Sequence, residues 1–126
     1  MRAAFFALLS IMPTTAAADY FTGNSIHQLC SENRPAVSGY IAGWVGKQEQ
    51  DAHAMTKLRG MMPWPYRSIV AQAGSSMSAA CIPEGATLGQ ITDVFCKNVE
   101  TMPEVRHLPA SDILAAALRL TFSCEG

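Results

Sequence analysis

The sequence predicts an all-α fold: a compact bundle of four main helices plus a short helix, stapled by disulfides. Three observations predict it. Apolar residues recur at spacings of three and four over long stretches, which is the mark of a helix with one buried stripe. No stretch alternates apolar and polar residues as a half-buried strand does. The chain carries four cysteines, an even number, behind a leader that would export it to an oxidising compartment.

That leader occupies residues 1–18. Met1-Arg2 gives a positive start, Ala3 to Met12 is an uncharged apolar run, and Pro13 breaks it. Ala16, Ala17 and Ala18 then offer the small residues that a signal peptidase reads, so cleavage is expected before Asp19. The run is too short for a membrane span, which needs about 20 apolar residues. The product is expected to be a single exported domain over residues 19–126 that is not held in the membrane.

A short first helix is expected from Asp19 to Cys30, capped by Thr22 or Asn24, with Phe21, Ile26 and Leu29 turned inward. Ser31 to Pro35 reads as a turn, and Pro35 suits the first position of a helix. The second helix is long. Val37, Tyr40, Ile41, Trp44, Val45, Ala52, Met55 and Leu58 form its apolar stripe, and Lys47, Glu49, Gln50, Asp51 and Lys57 fill the other face. Gly39, Gly43 and Gly46 each disfavour a helix by about 1 kcal/mol relative to Ala, so close packing against another element is expected there. Gly60 ends this helix.

Met61-Met62-Pro63-Trp64-Pro65-Tyr66 follows, and its two prolines bar a regular helix. A short helix then covers Arg67 to about Gly74, with Ser75 to Ala80 as a small-residue loop. Cys81 to Ala86 is a turn. Thr87-Leu88-Gly89-Gln90 matches a capping box, in which the Thr oxygen and the Gln side chain each bond a backbone N–H at the helix start. Leu88, Ile91, Val94, Phe95, Val99 and Met102 make the buried stripe of that helix, and Pro103 stops it. Leu108-Pro109 opens the last helix, with Ile113, Leu114, Ala117, Leu118 and Leu120 facing the core.

Composition excludes several classes of function. Nine Lys and Arg against ten Asp and Glu leave a formal charge of −1, so no basic footprint for nucleic acid is present. The cysteines lie 51, 15 and 28 residues apart, without a CxxC pair or a histidine at zinc-ligand spacing. No phosphate-cradling glycine loop, HExxH or G-x-S-x-G occurs. No cofactor, metal site or catalytic residue is therefore expected. A Cys–His nucleophile is disfavoured because an oxidising compartment pairs thiols. His27 and His53 are expected to face solvent, and His107 to fix a corner between helices by hydrogen bonding.

The loop from Met61 to Tyr66 has two readings. Trp64 and Tyr66 can fold back and cap the core. Alternatively, Met61, Met62, Trp64 and Tyr66 are presented to a partner: Trp and Tyr bury much area at small entropic cost, and two prolines lower the ordering penalty of binding. The glycine-lined face of the long helix could instead serve a homodimer.

From Cys81 onward the chain resembles the Rap/Tai-type immunity proteins. Cys81 and Pro83, Thr87 to Gln90, Pro103-Glu104, Arg106-His107 and Cys124 carry the resemblance. Phe21-Thr22-Gly23-Asn24 and Gly39 to Gly43 extend it toward the N-terminus, and it is weakest between about Gly46 and Ala80. The resemblance implies a periplasmic protein, often dimeric and not an enzyme, that protects a bacterium by binding and occluding a peptidoglycan amidase delivered by type VI secretion. A general periplasmic helical binding protein or acid-stress chaperone is the alternative. The family's second cysteine falls where this chain has Val37, and Cys96 lies outside the family pattern, so the family pairing does not transfer. If the last two helices are antiparallel, the start of one lies beside the end of the other, which favours Cys81–Cys124 and leaves Cys30–Cys96.

Overall fold

The computed structural model describes residues 20–77 and 80–124. The signal peptide expected over residues 1–18 and the cleavage point before Asp19 lie outside the described residues. The elements are α1 (Gly23–Glu32), α2 (Arg34–Met61), α3 (Tyr66–Met77), α4 (Leu88–Thr101), a 3-10 turn (Pro103–Val105) and α5 (Ala110–Thr121). Among the described residues there is no strand; one isolated bridge pairs Thr22 with Pro109. The fold is the helical bundle that the periodicity predicts. No described helix is long and apolar enough to cross a membrane.

Helix starts follow local chemistry. The Thr22 hydroxyl accepts the Ser25 N–H at 3.4 Å and caps α1. The turn expected over Ser31 to Pro35 shrinks to one residue, because Asn33 serves both neighbours. Its N–H donates to Leu29 O at 2.8 Å and closes α1, while its Oδ1 accepts from Ala36 N at 3.3 Å and opens α2. At α4 the capping box is complete: Gln90 N donates to Thr87 Oγ1 at 3.2 Å and Thr87 N to Gln90 Oε1 at 2.8 Å.

The core lies where α1, α2, α4 and α5 meet. Ile26, Val37, Ile41, Phe95, Val99, Leu114 and Leu118 are fully buried there. The α4 helix is central: it packs on α1, α2 and α5. Tyr40 extends this core outward, stacking on Phe95 at 6.4 Å and meeting the edge of Phe21 at 5.3 Å. Among the described residues one polar side chain is buried. The Thr92 hydroxyl donates to Leu88 O at 2.8 Å and lies 2.9 Å from the Ser38 hydroxyl. With its single proton used on Leu88, Thr92 accepts from Ser38, so burial leaves it satisfied.

Two disulfides join the layers. Cys30, near the end of α1, is bonded to Cys96 in the middle of α4, with Cα atoms 5.7 Å apart. Cys81, before α4, is bonded to Cys124, after α5, with Cα atoms 5.0 Å apart. Backbone reinforces the second closure: Cys81 N donates to Phe122 O at 3.0 Å.

Several expectations change. Gly39, Gly43 and Gly46 do not pack against another element; a Cβ built on any of them meets nothing within 4 Å. The face of α2 that reaches the core carries Val37 and Ile41, and the glycines lie away from it. The long stripe also divides. Past Val45 no residue of α2 is buried, and Ala52 and Leu58 are exposed. The loop expected from Ser75 begins later, since α3 continues to Met77. Leu88 is exposed because it is the first residue of α4, ahead of the turn that meets the core. Leu120 is also exposed: at 100° per residue it lies roughly 90° from the centre of the α5 stripe, in the last turn.

Candidate functional site

The α2 helix has 28 residues and so extends about 42 Å at 1.5 Å per residue. Only its first half has the core beneath it. The second half leaves the bundle, and α3 returns along it. None of the described α3 side chains is buried. The two helices and the loop between them form an arm whose support comes from within itself.

Arm geometry is set by local bonds. Met62 N donates to Leu58 O at 3.1 Å and closes α2, and Tyr66 N donates to Pro63 O at 3.0 Å and starts α3. Arg67 reaches back, with its Nε donating to Met62 O at 2.8 Å. The Ser68 hydroxyl donates to Pro65 O at 3.0 Å. The Trp64–Pro65 peptide bond is cis. Four bonds and two prolines thus define a four-residue connection, Met62 to Pro65.

The tip presents apolar surface. Met61 is 73% exposed, Trp64 77%, Tyr66 56% and Ile69 64%; Met62 is half-buried. Trp64 and Tyr66 therefore do not fold back on the core: the arm carries them away from it. Three of the four expected contact residues, Met61, Trp64 and Tyr66, are exposed, and Met62 is half-buried. Ile69 and Leu58 join them, although their positions within helices made them read as core-facing or neutral.

Charge is also segregated. From Ala52 to Pro83 the chain has no Asp or Glu, while Lys57, Arg59 and Arg67 fall in this run and are exposed. A groove between α2 and α3 is lined by Thr56, Arg59, Gly60, Arg67, Ser68 and Ala71. Periodicity did not single out Arg59 and Arg67; the acid-free run of sequence was the signal that marks them.

The base of the molecule is built differently. Gly23 N donates to Leu108 O at 3.0 Å, Asn24 N to Arg106 O at 2.8 Å, and Ala110 N to Phe21 O at 2.9 Å. The first N–H groups of α1, which have no partner inside the helix, are thus taken by the turn before α5. The Arg106 side chain donates to Val99 O and, at 2.8 Å, to Glu100 O, capping the last turn of α4. His107 is exposed and makes none of these bonds, so the corner is fixed by Arg106 and not by His107. His53 is exposed and His27 is half-buried. Among the described residues no group of three or more His, Cys, Asp or Glu is placed to hold a metal ion.

Comparison with known proteins agrees with this arrangement at the level of family. The sequence profile of the family described as Rap1a immunity proteins matches residues 22–124, from the α1 cap to the second disulfide. No curated protein matches the chain, and no solved structure does.

Proposed function

The chain belongs to the Rap1a immunity proteins, and from that premise we propose that it acts in the periplasm on a cell-wall amidase delivered by type VI secretion. Membership implies an immunity protein for a secreted effector, a role that is inhibitory and not enzymatic. The proposal adds the target, the compartment and the means. The arm enters or covers the substrate groove of the amidase, and inhibition is occlusion: substrate is kept out and no bond is made or broken by the immunity protein. Export through residues 1–18 would bring it to the compartment where the amidase acts. The open face of α2 at Gly39, Gly43 and Gly46 is the surface offered to a second copy, should the protein be a homodimer.

One observation carries this reading. Trp64 stands 77% exposed at the end of an arm that gives the core no buried residue among the described side chains. Large apolar side chains left in water on a built loop favour binding, because their burial at an interface releases about 25 cal/mol for each Å² covered. The test is Trp64→Ala, with affinity for the cognate effector measured by calorimetry. The fold should be retained, since the removed ring touches mostly water. Binding should weaken by more than about 2 kcal/mol, the range of a central hot spot. Equal affinity of variant and parent would remove the arm from the interface.

A further inference from the structure

The groove between α2 and α3 has a chemistry of its own. Its cations are Arg59, in the last turn of α2, and Arg67, near the start of α3. Its hydroxyls are not free to donate outward: Thr56 Oγ1 donates to Ala52 O at 2.9 Å, and Ser68 Oγ to Pro65 O at 3.0 Å. Arg67 uses Nε on Met62 O and so is held in place, its terminal nitrogens lying beyond that bond. Neither arginine has a carboxylate partner among the described residues. Elsewhere Arg34 pairs with Asp93 and Lys47 with Asp51.

We propose that this groove receives a carboxylate side chain from an acidic segment of the effector, so that an ion pair forms beside the contact made by Trp64. The proposal rests on the arm reading and names the partner's chemistry at that surface. Guanidinium forks match the two oxygens of a carboxylate, and Arg67 is already oriented by its bond to the loop. Gly60 borders open space at the groove, where a Cβ would meet nothing within 4 Å. The groove measures about 340 Å³, which admits a side chain and the backbone that carries it. A nucleic acid does not suit this surface: three exposed cations on a chain of formal charge −1 do not make an extended phosphate track. An acidic protein segment with apolar neighbours matches both the arginines and the tip. Like charge on the wrong partner would be rejected by the same arginines.

The experiment is an NMR titration of the oxidised chain with hexaglutamate at fixed ionic strength, with hexaglutamine and inorganic phosphate as comparisons. Hexaglutamate should give saturable shifts at the amides of Gly60, Arg67 and Ser68, and hexaglutamine none. Arg59→Glu should weaken that binding at least tenfold, Arg59→Lys should weaken it less, and Trp64→Ala should leave it within twofold. Arg67 is left intact because it also holds the loop. Absence of saturation, an unchanged affinity in Arg59→Glu, or equal binding of phosphate at the same residues would each overturn the carboxylate receptor. Such a failure, with Trp64→Ala still weakening effector binding, removes the ion pair and spares the arm; the reverse pattern removes the arm.

Discussion

Gly23→Ala should damage this protein far more than a single methyl suggests. A Cβ at position 23 would lie 2.6 Å from Ile113 Cδ1, 2.7 Å from Arg106 Cα and 2.9 Å from Arg106 O. Carbon atoms sit comfortably at roughly 3.5–4.0 Å, so relief needs a movement of about 1 Å. Ile113 can rotate, but the other two atoms are backbone. α1 must therefore back away from the turn before α5. That movement strains the Gly23–Leu108 and Asn24–Arg106 hydrogen bonds, each worth about 0.5–1.5 kcal/mol net. Overpacking adds about 1–3 kcal/mol. Alanine's better helix propensity returns at most about 1 kcal/mol. The expected net loss is about 2–4 kcal/mol, read from guanidinium chloride unfolding of the oxidised chain. Gly39→Ala is the internal control. Its Cβ meets nothing, so it should stabilise by about 0.5–1 kcal/mol. If Gly23→Ala unfolds within about 0.5 kcal/mol of the parent, the docking of α1 on Arg106 is not as tight as described.

Five further outcomes are expected. Arg106→Ala removes two donors from the end of α4 and should lower stability by about 1.5–3 kcal/mol in the same assay, whereas His107→Ala should stay within about 0.5 kcal/mol. Replacing Cys81 and Cys124 together by Ser opens a closure of 43 residues, and thermal unfolding should show a loss near 4 kcal/mol in the chain-entropy model. Thr87→Ala deletes the cap and its half of the capping box at α4, an expected loss of about 0.5–2 kcal/mol; Leu120→Ser, on an exposed side chain, should change denaturation midpoints little.

Helix existence was legible because it depends on local pattern. Thr87 with Gln90 marks the start of α4 through bonds only three residues long, and Pro103 marks its end for lack of an N–H. Burial was legible only where a helix has the core beneath it. The stripe on α2 continues to Leu58 by period, yet the bundle stops near Val45, and periodicity contains no statement of where a neighbouring helix ends. The glycines show the same gap. A glycine in a helix signals either a close neighbour or an open face, and the distinction is a distance across the fold. Gly23 is the close one and Gly39 the open one, although the sequence offered Gly39, Gly43 and Gly46 for that role. At the arm, composition identified the aromatic loop. It did not decide between core and solvent, because that depends on how far α2 runs before the chain turns back.

The two ends of the chain explain why one region can be constrained and another free. Phe21 to Asn24 and Arg106 to Ala110, stretches more than eighty residues apart in sequence, bond directly to each other. Arg106 is common to both sides of the corner: its carbonyl takes an α1 N–H and its guanidinium caps α4. Substitution of Gly23 or Arg106 therefore acts on more than one helix at once. The arm has the opposite property. The bonds between Met62 and Leu58, between Tyr66 and Pro63, and from Arg67 and Ser68 back to the loop lie within the arm. Side chains at its surface can change without opening the core, since no core residue rests on them. A protein that must match one particular partner gains from that separation. The base holds stability through bonds made across the fold, and on the proposed reading recognition sits on a lever whose alteration leaves those bonds intact.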